Sequence, residues 1–335
     1  MNSATAHGRE RGHPSLDRAR RAESAPSDWR LAPGGGSRER LDTAMARVGP
    51  VLGALPARAQ PLLLDAAILR VQARYGDALD ACRRLAEIHP GRVADVCIAD
   101  LRSLEGDDAA YAHLRRRLLC GDGATPLDTA CAAWIHVATA EIADRVGEPR
   151  AAEMHFRHAL AHDGGTHALG AFARWLLDER RADEAIALLH RVESRPADAT
   201  DALLLAWVIA RRRVDLAGVP GSGPASADAP QAVSDAVRRL RVRLAAAAPL
   251  GDSSLARERV RLALEVDLDP TGALRQARSN WTVRREPVDA RLLARAASAA
   301  ADADALRTLA AEIGHIGMHD LRLDALLRAA TPAPP

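Results

Sequence analysis

A chain of 335 residues with 48% hydrophobic and only 3% aromatic residues can bury a sizeable core, but must build it from Ala, Leu, Val and Ile, a mixture that favours close-packed helices over sheet. All 46 basic residues are Arg, a usage that points to a GC-rich genome, and the net charge of +2 at pH 7 excludes a whole-molecule field for nucleic acid or anionic membrane. Arg or Asp interrupts every apolar stretch before it could span a bilayer, so a soluble, cytoplasmic protein is expected, with no nucleic-acid or membrane partner.

Residues 1–39 carry Gly, Ser, Pro and scattered Arg without an apolar period, and they read as a disordered tail that includes Trp29 and the Gly34-Gly35-Gly36 run. The tail lacks the apolar stretch of a secretory signal, and its acids Glu10, Asp17, Glu23 and Asp28 argue against a transit peptide. From Leu41 onward the spacing predicts helices of about a dozen residues. Leu62, Leu63, Ala66, Ala67 and Leu69 form one stripe, Leu79, Cys82, Leu85, Ala86 and Ile88 the next, and Tyr75-Gly76-Asp77 between them reads as the turn of an αα-hairpin. Turn markers recur at Gly76, Gly106, Gly147 and near Arg180, Val214, Asp267 and Asp302. That spacing is the signature of a helical repeat array.

Cys82, Cys97, Cys120 and Cys131 show no zinc spacing and read as small buried hydrophobes in a reducing compartment, with no disulfide required. Arg115-Arg116-Arg117 and Arg211-Arg212-Arg213 read as solvated faces of helices.

Residues 133–199 carry the clearest pattern. Thr139 and Ala140 supply small contacts, Gly147 a turn, and Ala152, Phe156 and Ala159 an inward stripe; Phe172, Ala173 and Leu176, then Ala185, Leu189 and Val192, repeat it, with Pro196 after the last helix. The stretch resembles two tandem tetratricopeptide repeats. The resemblance implies an all-α, right-handed superhelical solenoid of antiparallel helix pairs. The N-terminal repeats would occupy 40–215 and the C-terminal repeats 232–330, the latter with Pro270 and Pro287 at helix starts; 216–231 would be a flexible insert and 331–335 a tail.

Such a scaffold implies a non-enzymatic adaptor that holds a protein or peptide on its concave face. Arg145, Arg174, Arg180, Arg211 and Arg212 would pair with acidic groups there and Trp207 would act as an anchor, although Trp134, Trp175, Trp207 and Trp281 also suit inter-repeat packing. A second reading takes the ridge of His155, His158 and His162, with His167 nearby, as a metal-handling site for zinc, copper or nickel. A third, a helical-repeat enzyme, would need charged side chains converging in a concave pocket. No nucleophile elbow, phosphate-binding loop or dinucleotide fingerprint occurs, so no cofactor is expected.

Overall fold

Hairpins recur along the chain because the same backbone device ends one helix and starts the next. A residue in the left-handed region follows the helix, and the next amide reaches back five residues to an orphan carbonyl. Arg74 donates to Leu69 O, Asp107 to Arg102 O, Glu148 to Ala143 O, Arg181 to Leu176 O and Asp302 to Ala297 O, at 2.8–3.0 Å. The residues that turn the chain are Ala73, Gly106, Gly147, Arg180 and Ala301. Leu268 is left-handed as well. Five positions beyond Ala73, Gly147, Arg180 and Leu268 stand Ala78, Ala152, Ala185 and Ala273, all 0% exposed. A methyl at that position lets the second helix close against the first.

The computed structural model describes residues 37–119, 128–162, 164–217, 229–247 and 255–330. Trp29, the Gly34-Gly35-Gly36 run, Cys120, most of the expected insert and the 331–335 tail lie outside them. Among the described residues there are 17 α-helices, a short 3-10 turn and no strand. They are α1 (Ser37–Leu52), α2 (Gln60–Val71), α3 (Tyr75–Ile88), α4 (Arg92–Leu104), α5 (Ala109–Leu119), α6 (Thr129–Arg145), α7 (Pro149–Ala161), α8 (Gly165–Asp178) and α9 (Ala182–Leu188). Then follow α10 (His190–Ser194), α11 (Asp201–Ala217), α12 (Ala229–Ala247), α13 (Ala256–Glu265), α14 (Pro270–Val283), α15 (Pro287–Ala299), α16 (Ala303–Ile316) and α17 (Leu321–Ala330). Proline opens α7, α14 and α15, where a missing amide hydrogen costs nothing. Asp128, Asp269 and Asp302 cap α6, α14 and α16 through side-chain oxygens.

Several expected boundaries shift. Gly76 lies inside α3, and the turn belongs to Ala73. Val214 lies within α11 rather than at a turn, because α11 continues to Ala217. Ala229 and Pro230 already belong to α12, Pro230 near its start, so the expected insert is helical at both edges. The packing residues of 133–199 are all buried, from Thr139 and Ala140 to Leu189 and Val192.

Helices α2, α4, α6, α8, α11, α13, α15 and α17 each touch the next in that order and form an inner layer. The alternating helices, among them α3, α7, α12, α14 and α16, back it. The inner layer then returns on itself, for α17 also packs on α6. Two backbone bonds tie the late segments to the early ones: Arg285 N–H donates to Val71 O at 2.9 Å and His319 N–H to Leu104 O at 2.8 Å. The late helices are therefore tied back across the inner layer to the early ones.

Cys82 on α3 and Cys97 on α4 form a disulfide with Cα atoms 5.7 Å apart. This corrects the expectation of separate thiols, and it is a pairing that a reducing compartment would not maintain. Cys131 is a buried free thiol. Among the described residues no helix is long and apolar enough to cross a membrane.

Candidate functional site

Closure brings arginines from both halves of the chain to one place, and burial forces most of them to find an acid. On α4, Asp100 accepts from Arg70 Nε at 2.7 Å, Arg47 Nη2 at 3.1 Å and Arg145 Nη2 at 2.8 Å. Burial alone would push its carboxyl up, but Arg70, Arg47 and Arg145 hold it well below the usual range. Glu286, just before α15, is gripped by Arg70 and Arg257, with Arg47 at 4.0 Å, and is likewise held below its ordinary value against the effect of burial. Asp144 on α6 accepts from Trp175 Nε1 at 2.8 Å, Arg291 Nη1 at 2.9 Å and Arg322 Nε at 2.7 Å. Glu286 and Asp144 are latches between early and late helices, while Asp100 ties α1, α2 and α6 to α4.

Inside the latches lies a chamber of about 340 Å³ lined from α1, α2, α6, α7, α8, α13 and α15. Phe156, Ala171, Trp175 and Val288 give it an apolar wall. Arg174 lines it without an ion-pair or hydrogen-bond partner. Burial, then the neighbouring Arg261, lowers the affinity of the Arg174 guanidinium for its proton, with Glu258 opposing. Burial also keeps His167, another lining residue, neutral at lower pH than usual.

A second depression, of about 740 Å³, adjoins the chamber and shares Asp178, Arg261, Val288 and Arg291 with it. Six arginines line this groove: Arg180, Arg213, Arg261, Arg291, Arg295 and Arg322. Arg213 is held by Glu265 and Leu177 O; Arg261 and Arg295 share Asp178 at 3.2 and 3.4 Å; Arg291 and Arg322 reach Asp144. Arg180 is exposed and pairs with nothing. Its backbone turn places it at the α8–α9 corner, with its side chain at the groove.

The structure therefore separates the residues that the sequence grouped. Arg174 and Arg180 face open volumes. Arg145 also borders the chamber, but it is 3% exposed and spent on Asp100 and Ser103. Arg211 is 6% exposed and bonds Glu193, while Arg212 donates to Val266 O. The Arg211-Arg212-Arg213 run is thus turned inward rather than solvated, because α11 belongs to the inner layer with α8 on one side and α13 on the other. By contrast Arg115, Arg116 and Arg117 are exposed, as expected. Trp207 is 1% exposed and packs in the core, out of reach of a partner.

The histidine ridge gains a member that the one-helix view missed. His136 on α6 faces the ridge on α7, its ring 5.4 Å from His155, 5.2 Å from His158 and 5.5 Å from His162. The rings lie face to face or tilted, and His136 Nδ1 meets His155 Nδ1 at 3.1 Å. Among the described residues no three His, Cys, Asp or Glu side chains, His155, His158 and His162 included, are grouped so as to hold a metal ion. Burial, then the mutual repulsion of the rings, lowers His136 and His155 to about 4.

Comparison with protein-family models, with curated proteins and with solved structures gives no match to this chain.

Proposed function

We propose that this protein is a non-enzymatic binding scaffold of paired helices, of the tetratricopeptide type in its stacking, that holds an acidic peptide segment of another protein in the arginine-lined groove between α8, α11, α15 and α17. The observation that carries the reading is the six-arginine lining of a 740 Å³ groove in which Arg180 stands exposed without an ion-pair partner, although Asp178 and Asp183 line it too. Guanidinium forks suit carboxylates, and a groove of about 740 Å³ lined by six of them suits several consecutive acidic side chains. The other five arginines are already oriented by acids behind them, so they present fixed donors rather than floppy side chains.

The test is fluorescence anisotropy of a labelled hexaglutamate peptide titrated with the full chain. Arg180→Glu should weaken binding about tenfold, the value of one charge-assisted contact, and raising the salt concentration should weaken it further. Equal affinity for wild type and variant would refute the groove as the binding surface.

A further inference from the structure

The chamber differs from the groove, because two opposite charges stand in it and neither makes a direct ion pair or side-chain hydrogen bond. Arg174 reaches it from α8 and Glu258 from α13, and both line it. Neither has an ion-pair partner, and they do not pair with each other. Glu258 Oε2 is buried with no hydrogen-bond donor. All around them the same chamber shows what its charges do when they can: Arg257 grips Asp289 at 2.7 Å and Arg261 reaches Asp178 at 3.2 Å. Leaving a guanidinium and a carboxylate half-buried and apart is costly, so the pair is poised for something that fits between them.

The chemistry of that ligand is constrained on three sides. A simple anion would satisfy Arg174 but would meet Glu258, Glu141 and Asp178, which line the same chamber. A simple cation would satisfy Glu258 but would meet Arg174, Arg257 and Arg261. A zwitterion adds no net charge and answers both orphans at once. The apolar wall of Phe156, Trp175 and Val288 then leaves room for a hydrocarbon side chain, and about 340 Å³ lies within the range of small-molecule pockets. We propose that the chamber is a binding site for a free α-amino acid with an apolar side chain, its carboxylate on Arg174 and its ammonium on Glu258. Arg174 is half-exposed, so the site is reachable, and Arg180 takes no part in it. The proposal therefore stands or falls apart from the peptide groove.

Isothermal titration of the full chain with L-leucine and L-phenylalanine tests it, with isovalerate, isoamylamine and inorganic phosphate as partial mimics. At least one amino acid should bind at one site per chain, and each mimic should bind at least tenfold more weakly. Arg174→Gln and Glu258→Gln should each weaken the amino acid at least tenfold with an unchanged helical circular-dichroism spectrum, while Arg180→Glu should leave it unaffected. Absence of amino-acid binding would overturn the proposal. So would phosphate or isovalerate binding as tightly as the amino acid, or undiminished binding by both chamber variants.

Discussion

Replacing Glu286 by Gln removes a carboxylate that joins the early helices to the late ones. Glu286 is 4% exposed and is held by Arg70 from α2 and Arg257 from α13, so the amide would leave the buried Arg70 and the half-buried Arg257 short of an acid. Breaking a buried pair in this way costs about 3–5 kcal/mol. The lower end applies here, because Arg70 keeps Asp100 and Arg257 keeps Asp289. With a urea slope of about 3 kcal/mol per molar for a chain of this size, the unfolding midpoint should fall by about 1 M at pH 7. The pH dependence has a definite sign. Glu286 has a depressed folded pKa, so its contribution is complete above the unfolded value, about 4.3, and is lost as pH falls toward the folded value. The gap between wild type and Glu286→Gln should therefore narrow below about pH 4. A midpoint shift under about 0.3 M at pH 7, on the same slope, would refute the latch.

Two further outcomes follow from buried groups elsewhere. His155, lowered to about 4, is neutral in the fold but titrates near 6.5 when unfolded, so stability present at pH 7 should be lost as pH falls from about 6.5 toward 4. The loss should reach about 2 kcal/mol by pH 5 for this residue, and a His136→Gln, His155→Gln double variant should show a much flatter profile in pH-dependent urea denaturation. Reducing Cys82–Cys97, whose partners are 15 residues apart, should lower stability by about 3 kcal/mol, and Cys82→Ser should show the same loss without responding to reductant.

Local features were legible in the sequence because they depend on neighbours in the chain. The left-handed turns at Gly106 and Gly147, the prolines opening α14 and α15, and the inward stripe from Ala152 to Val192 all sit where spacing and residue type put them. The markers near Asp267 and Asp302 fall one residue from the left-handed Leu268 and Ala301, whereas Ala73 carries no conformational marker and Gly76 drew the first turn three residues too far along. Closure was not legible at all. Arg145 and Arg174 are alike in sequence and both border the chamber, yet Arg145 is spent on Asp100, 45 residues away, while Arg174 makes no ion pair. His136 escaped for the same reason: its three neighbours are on the adjacent helix and fall into line only once α6 and α7 pack. The disulfide likewise joins two helices that only their shared hairpin brings together.

The chamber and the groove both exist only where the late helices close on the early ones, and two amides report that closure. Arg285 and His319 lie in loops, and their N–H groups are bonded to Val71 O and Leu104 O on distant helices. Hydrogen–deuterium exchange of the full chain, read on fragments covering 284–286 and 318–320, should show both amides protected at least a hundredfold over random-coil rates, and Glu286→Gln should reduce that protection at Arg285 first. Exchange of both at unprotected loop rates in the wild-type chain would mean that the helical array stands open, and would contradict the account.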